Sequence, residues 1–361
     1  MTRRQVLEML GVSAAAATLP KGLFAQAVTF PKGAIIRTLL KDYMPEELAG
    51  GATLFHEHMQ LALDFNARFA AATAAARAAN GLPPLPPRGG GAGGGGAAAP
   101  PPPDIMHNVD LMSEEVAKVK SAGVACIVDG GHSDMGRNVD FLRQVSMKSG
   151  VPIVAGGGFY SQPFYPKEIS TMSEDQIFRA LVKQADDDTL GAFGEIGSWD
   201  EISADERKVF RAIGRAHVAT NLPIFTHTGI PGKSALEQLD IFEDEGVKPD
   251  RVVIGHLGNL VDTNVYVHKA ICRRGAFVGF DRQGNNDAPQ VPMVMALIEA
   301  GFADHLMFSS DASSGYSKTM TVFLPKLKAA GANDQVLHRI MVDNPRRFLA
   351  FVPKRPRKKS S

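Results

Sequence analysis

The stretch Ala52-Thr53-Leu54-Phe55-His56-Glu57-His58 joins a short apolar run to two histidines that are separated by one residue. Side chains alternate between the two faces of a strand, so both imidazoles are expected on one face and Glu57 on the other. Nitrogen and oxygen donors of this kind suit a divalent cation. Four further apolar runs each end at a residue that can bind a metal ion: Glu195, His227, His256 and Asp311.

Strand-like runs recur at the spacing of a repeated strand-helix unit. Their ends lie near residues 58, 129, 156, 195, 227, 256, 281 and 311. From the second run onward they are 25 to 39 residues apart, about one βα repeat. Eight such units predict a single α/β domain, a (β/α)8 TIM barrel over residues 28–352. Helices are predicted at 113–122, 138–149, 174–186, 204–220, 233–245, 261–274, 291–300 and 324–330.

The barrel fold explains how ligands so distant along the chain could meet. The C-terminal ends of barrel strands open on one face, which is where catalytic residues of this fold lie. Four histidines and two carboxylates are too many ligands for one zinc ion and suit two. The sequence therefore predicts a site for two divalent cations at that face.

Composition argues against a nucleic-acid partner. The chain of 361 residues has a formal net charge of +1. Its last nine residues, 353–361, carry +5 and are expected to form a disordered basic tail, which leaves about −4 for the body. Two cysteines give no disulfide framework, and Cys126 is expected to be a buried free thiol.

The first 27 residues have the pattern of a targeting segment. Arg3-Arg4 followed by a mildly apolar stretch resembles a twin-arginine export signal, and Ala25-Gln26-Ala27 supplies a cleavage site. The stretch is too short and too polar to span a membrane. A periplasmic location is expected, with a cytoplasmic protein that begins with an amphipathic helix as the alternative.

A Gly/Pro-rich insertion interrupts the first repeat. Residues 78–103 have too little apolar surface to offset their conformational entropy, so disorder is expected there. The segment follows the first strand and would emerge beside the proposed metal ions. It is either an inert insertion or a flexible lid.

The run Gly51 to Met59 resembles the G-x-T-L-x-H-E-H signature of the phosphotriesterase family. The resemblance continues over about residues 35 to 350. It includes Asp134-Met135-Gly136-Arg137, Thr226-His227-Thr228, Ile254-Gly255-His256, Ser310-Asp311-Ala312-Ser313 and Asn344-Pro345-Arg346-Arg347-Phe348-Leu349.

The resemblance implies which residues hold each metal ion. His56, His58 and Asp311 would bind the buried ion, and His227 and His256 the more exposed one. Glu195 stands where the best-known members have a bridging carbamylated lysine, and a carboxylate can bridge two cations in the same way. Zinc is the first expectation, with manganese, cobalt or iron as alternatives. A homodimer is also implied.

Two further residues resemble those of the lactonase branch of this family. Arg282, in Gly279-Phe280-Asp281-Arg282, would hold an acyl or leaving-group oxygen, and Tyr160 would donate to the ring oxygen of a lactone. The alternative for Arg282 is an ion pair with a carboxylate at the barrel rim, for which Asp281 is a candidate. Trp199 either lines the pocket or packs under a loop.

The expected activity is hydrolysis of a small ester, with a lactone as the first hypothesis and promiscuous esterase or phosphotriesterase activity beside it. The resemblance implies that a metal-bridging hydroxide attacks the carbonyl, and Asp311 would accept the proton of the nucleophile. A phosphotriesterase or phosphodiesterase is the alternative. A barrel that binds a ligand without turnover is a third hypothesis.

Overall fold

The computed structural model describes residues 28–84, 104–230, 232–284, 287–355 and 357. The predicted export signal, residues 1–27, lies outside the described residues. So do residues 85–103 of the predicted insertion. The first two residues of the insertion, 78 and 79, belong to the helix Phe65–Ala79. The Arg77 side chain donates to the carbonyl of Pro83.

Eight parallel strands form the predicted barrel. Within two groups, β1 to β3 and β4 to β8, each strand pairs with the next in parallel register. The strands are β1 (Ala52–Glu57), β2 (Val124–Asp129), β3 (Ile153–Ala155), β4 (Phe193–Ser198), β5 (Ile224–Thr228), β6 (Val252–Ile254), β7 (Phe277–Phe280) and β8 (Leu306–Phe308).

The ring closes at two seams, which are the junctions between β3 and β4 and between β8 and β1. At the seam between β3 and β4, the amide of Gly194 donates to the carbonyl of Gly157 at 2.8 Å. A side chain on Gly156 would lie 2.2 Å from the Gly194 carbonyl oxygen, so only glycine permits this approach. Just beyond the ends of β8 and β1, the amide of Asp311 donates to the carbonyl of His56 at 3.2 Å, and that of His58 to Ala312 at 2.9 Å.

Helices cover the outside of the barrel, and all eight predicted ones have a counterpart. The helix Phe65–Ala79, here α1, is an addition that the sequence analysis missed. Within the described residues no helix is long and apolar enough to cross a bilayer. The others are α2 (Val109–Ala117), α3 (Val139–Ser149), α4 (Glu174–Asp187), α5 (Ala204–Thr220), α6 (Ser234–Asp244), α7 (Tyr266–Arg274), α8 (Asp287–Glu299), α9 (Leu324–Ala329), α10 (Asp334–His338) and α11 (Asn344–Leu349).

Each of two strands contains one extra residue that changes which side chains point inward. In β1, Leu54 pairs with Ile127 but Glu57 pairs with Asp129, so three steps on β1 match two on β2. Such a bulge reverses the alternation of side chains beyond it. Phe55 lies in the barrel interior. Strict alternation would turn His56 outward, whereas its ring lies 5.5 Å from that of the interior Phe225.

A bulge of the same kind occurs in β4. Phe193 pairs with Ile224 and Ile196 with Thr226, again three steps against two. Ala192 packs in the interior, whereas Phe193 and Ile196 pack toward the helices. Without the extra residue, strict alternation from Phe193 would turn the Glu195 side chain outward as well. Both bulges therefore direct a predicted metal ligand into the barrel.

A buried carboxylate ties β1 to the segment after β8. Glu57 Oε1 accepts from the amide of Ser310 at 2.8 Å, and Oε2 accepts from the amide of Ala312 at 2.9 Å. The Ser310 hydroxyl donates to Oε2 at 2.7 Å. Burial raises the pKa of Glu57 to about 7, and these hydrogen bonds oppose the rise. Glu57, the outward-facing residue of the His-Glu-His triplet, thus connects β1 to the segment after β8.

The described part of the C-terminal tail contacts the body of the protein. Arg357 donates to Asp42 Oδ1 at 2.8 Å and to the carbonyl of Leu39 at 2.7 Å. Arg355 pairs with Asp186 at 3.0 Å. These acidic and carbonyl groups offset the basic charge that suggested a solvated end.

Both cysteines are buried free thiols, as predicted for Cys126. Cys126 lies inside the barrel and Cys272 lies on α7 against the strands. Burial raises the pKa of each thiol to about 12. Both side chains therefore serve as small apolar core residues.

Replacing Glu57 by Gln is expected to lower the free energy of unfolding by about 1–3 kcal/mol. Each Glu57 oxygen accepts a backbone N–H, and the side-chain NH2 of glutamine can only donate, so one buried N–H loses its partner. Urea denaturation of metal-depleted protein measures the change. The control Glu114→Gln, at an exposed position of α2, should stay within about 0.5 kcal/mol of wild type. Equal stability of the two variants would contradict this role for Glu57.

Candidate metal centre

The six residues predicted as ligands lie together at the C-terminal end of the strands. Their donor atoms form two groups, in each of which all atoms lie within 4.8 Å of one another. The first group is His56, His58 and Asp311, and the second is Glu195, His227 and His256. All are almost fully buried except Asp311, whose side chain is 12% exposed.

Glu195 lies between the two groups. Its Oε1 is 3.1 Å from His58 Nε2 of the first group. Its Oε2 is 2.9 Å from His227 Nδ1 and 3.2 Å from His256 Nε2 of the second. Oε2 also lies 3.4 Å from His56 Nε2 of the first group. The carboxylate of Glu195 therefore contacts histidines of both groups, as expected of a residue that could bridge two cations.

Left-handed backbone conformations direct three side chains at the mouth of the barrel. His256, Arg282 and Asp311 have φ angles of 58°, 64° and 47°. Residues other than glycine adopt such angles at a cost, and they cluster at functional sites. Each follows the end of a barrel strand, where the chain turns away while the side chain points back toward the axis.

Asp281 is a member of the site that the sequence analysis did not assign to it. Its Oδ1 accepts from His256 Nδ1 at 2.7 Å, and its Oδ2 accepts from the His256 amide at 3.1 Å. The same oxygen lies 3.5 Å from His56 Nδ1. With its Nδ1 proton held by Asp281, His256 presents the lone pair of Nε2 to the site. The position of Asp281 at the end of β7 was the available signal.

Arg282 contacts Asp311 rather than Asp281. Its Nε donates to Asp311 Oδ2 at 3.0 Å, and its side chain is 29% exposed. The predicted ion pair at the barrel rim is thus present, but the partner of Arg282 is the candidate ligand Asp311. Because the side chain is partly exposed, the guanidinium stands at the entrance to the site.

Tyr160 is buried beside the second group of ligands. Its hydroxyl lies 3.0 Å from His227 Nδ1. The ring packs in a small cluster with Phe65 and Phe164. Tyr160 therefore faces a ligand histidine at the wall of the site.

The carboxylates and histidines of the site shift the pKa values of one another. Burial would raise the pKa of Glu195, but His56 and His227 outweigh it and hold this pKa well below its ordinary value. In the same way His256 lowers the pKa of Asp281 to about 2, and the pKa of Asp311 is also lowered. Burial lowers the pKa of His58, yet Asp311 and Glu195 raise it to about 10.

Unpaired nitrogens also fit a metal ion. Within the described residues, neither ring nitrogen of His56 has a hydrogen-bond partner, and its Nε2 lies 3.4 Å from Glu195 Oε2 and 3.7 Å from Asp311 Oδ1. Buried polar atoms rarely lack partners in folded proteins. Three ionised carboxylates accompany one guanidinium here, which leaves an excess of negative charge, so a divalent cation at His56 would offset that charge and use an unpaired nitrogen.

Other histidines have structural contacts instead. His217, His268 and His305 each bond to a backbone carbonyl, at 2.7, 2.9 and 3.1 Å. These contacts give each of the three rings a structural role. His132, which follows β2, is fully buried with its ring 6.5 Å from that of Tyr160.

Comparisons with known proteins agree with this geometry. The model of the phosphotriesterase family matches residues 44–349. The chain is 31% identical over 256 residues to a phosphotriesterase homology protein of Escherichia coli, covering 65% of this chain and 87% of the relative. The crystal structure of that E. coli protein with phosphate in its active site has a TM-score of 0.69 and 25% identity, covering 83% of this chain and 99% of that one.

Two further relatives are hydrolases by name. An aryldialkylphosphatase of Saccharolobus solfataricus is 31% identical over 265 residues, covering 65% of this chain and 84% of the relative. An N-acetyltaurine hydrolase of Danio rerio is 23% identical over 349 residues, covering 88% and 98%. With the family match over most of its length, the chain belongs to the phosphotriesterase family and is a hydrolase.

Proposed function

We propose that this hydrolase cleaves carboxylic esters with the help of two divalent cations, and that its substrates are lactones. The observation that carries the proposal is the position of Glu195, whose carboxylate contacts histidines of both ligand groups. That arrangement favours catalysis over simple binding, because a binding protein has no need of a bridged pair of cations.

The described side chains suit two cation sites. His56, His58 and Asp311 would hold one ion, His227 and His256 the other, and Glu195 both. When bound, the two ions would polarise the carbonyl oxygen and lower the pKa of water. Zinc is the first candidate, with manganese, cobalt and iron as alternatives, because all accept this set of nitrogen and oxygen ligands.

Asp311 is positioned to move the proton of the reaction. In hydrolysis, water adds to the acyl carbon, the carbon–oxygen bond to the leaving group breaks, and a lactone opens to a hydroxy acid. Asp311 would accept a proton from the water and pass it to the leaving oxygen. The N–H of Arg282 orients this carboxylate, and the remaining guanidinium N–H groups can hold a substrate oxygen at the entrance.

A phosphotriester is the second candidate substrate. The 31% identity to an aryldialkylphosphatase favours it. The placement of Arg282 at the entrance favours a lactone, because a single guanidinium can hold the carbonyl or ring oxygen of a small cyclic ester. Relative kcat/KM values for γ-butyrolactone, phenyl acetate and a paraoxon-like triester would separate the two.

Metal removal is expected to abolish hydrolysis of a γ-lactone. Dialysis against a chelator should remove about two ions per chain, and adding zinc, cobalt or manganese should restore the rate. Elemental analysis and a lactone-opening assay on the same samples provide the measurement. Full activity in a sample free of metal would refute the proposal, and so would metal-loaded protein that hydrolyses no ester.

The variant Asp281→Asn is expected to weaken metal binding by about 10–100-fold. The carboxamide cannot accept from both the ring and the amide of His256, so Nε2 is less basic and less well oriented. Competition with a zinc chelator gives the dissociation constant. Asp250→Asn, at an exposed position before β6, is the matched control and should bind metal normally. An unchanged constant for Asp281→Asn would show that this contact is not needed.

The variant Asp311→Asn is expected to lower kcat by about 10²–10⁴-fold and to change KM much less. A carboxamide can still coordinate weakly and accept from Arg282, but it cannot take a proton at neutral pH. Steady-state kinetics with saturating metal measure both parameters, again beside Asp250→Asn. A variant that affects only KM would assign Asp311 to substrate binding instead.

A further inference from the structure

Helix α1 lies over the metal centre and is fixed at its first turn. The ring of Phe65 stacks on that of Phe164 with centroids 4.9 Å apart. Arg68 donates to the carbonyl of Pro163 at 3.1 Å, and its guanidinium lies 4.6 Å from the Phe164 ring. The loop after β3 therefore holds the start of α1 against the barrel mouth.

One turn later, α1 places an aromatic ring directly on a candidate ligand. The centroid of Phe69 lies 6.0 Å from that of His227, at an interplanar angle of 89°. Trp199, which follows β4, also lies 6.0 Å from His227, and the two aromatic rings are 5.8 Å apart. Phe69 and Trp199 thus form an aromatic pair beside the second ligand group.

The position of Trp199 is built into the fold. A Cβ atom on Gly229 would lie 2.4 Å from Trp199 Cε3, so the indole packs directly on the backbone of that glycine. Gly229 stands two residues after His227, and its amide donates to the carbonyl of Ser198 at 2.8 Å. The glycine therefore fixes the indole next to the ligand.

The aromatic pair is accessible, in contrast to its neighbours. Phe69 and Trp199 are half-buried, whereas Phe65, Tyr160 and Phe164 are buried. Arg282 stands beside Asp311 of the other ligand group. The site therefore has a cationic side for oxygen atoms and an aromatic side for a flat apolar group.

We propose that Phe69 and Trp199 form a subsite that binds an aromatic ring carried by the lactone. The inference rests on the proposed function and names its substrate class: a γ-lactone whose ring carbon bears an aryl substituent. Edge-to-face or offset stacking against these rings would hold the substituent while the carbonyl faces the cations. Stacking adds to apolar burial, so an aryl group is preferred over a saturated ring of similar size.

Kinetics test the preference directly. The ratio of kcat/KM for γ-phenyl-γ-butyrolactone to that for γ-cyclohexyl-γ-butyrolactone should be about 3 to 10 in the wild type, the factor expected from aromatic stacking. Phe69→Leu and Trp199→Leu should bring this ratio close to one, and Trp199→Phe should retain part of it. Phe302→Leu, at a half-buried phenylalanine before β8, is the matched control and should keep the wild-type ratio.

Binding can be measured without turnover because Trp199 is the one tryptophan of the chain. The unreactive analogue 5-phenylpyrrolidin-2-one should change Trp199 emission with a dissociation constant about 3 to 10 times lower than the cyclohexyl analogue. Phe69→Leu should remove this difference.

The two tests separate failure of the subsite from failure of the proposed function. Equal ratios for wild type and Phe69→Leu, together with equal dissociation constants for the two lactams, would overturn the subsite. Selective binding of the phenyl lactam in a protein that opens no lactone would support the subsite and refute the lactonase activity.

Discussion

One additional residue in each of two strands determines whether this barrel can have a metal centre. Regular alternation would turn His56 and Glu195 toward the covering helices, where no other ligand lies. The bulges in β1 and β4 direct both into the interior. β1 and β4 also border the two seams, so the irregular pairing occurs where the ring is joined. Barrel closure and ligand placement are thus achieved by the same local geometry.

Two further buried carboxylates support the candidate ligands. Glu57 joins β1 to the segment that carries Asp311, and Asp281 fixes the ring of His256. Both are buried, which is costly for a charged group unless it is fully hydrogen-bonded. Amide and hydroxyl donors satisfy Glu57, and histidine N–H groups satisfy Asp281. Protein contacts consequently orient the rings of these candidate ligands.

Much of the barrel and the ligand set could be predicted from the sequence, because apolar runs that end in histidine or carboxylate are local patterns. Helix α1 was missed because only Phe65 among its residues is buried, so it lacks a clear apolar stripe. The role of Asp281 was missed because it depends on a contact between β6 and β7. The bulges escaped prediction for a similar reason: they are defined by pairing with a neighbouring strand. The contacts of Arg355 and Arg357 depend on acids far away in the chain.

The burial of both thiols makes this protein convenient for site-specific labelling. Cys126 and Cys272 remain protonated at neutral pH and are shielded by the core, so maleimide reagents should leave them untouched. A cysteine introduced on the exposed face of α1 would then be the one reactive position. Paired with a second introduced cysteine near Arg282, it would allow spectroscopic distances across the barrel entrance to be recorded in an otherwise native background.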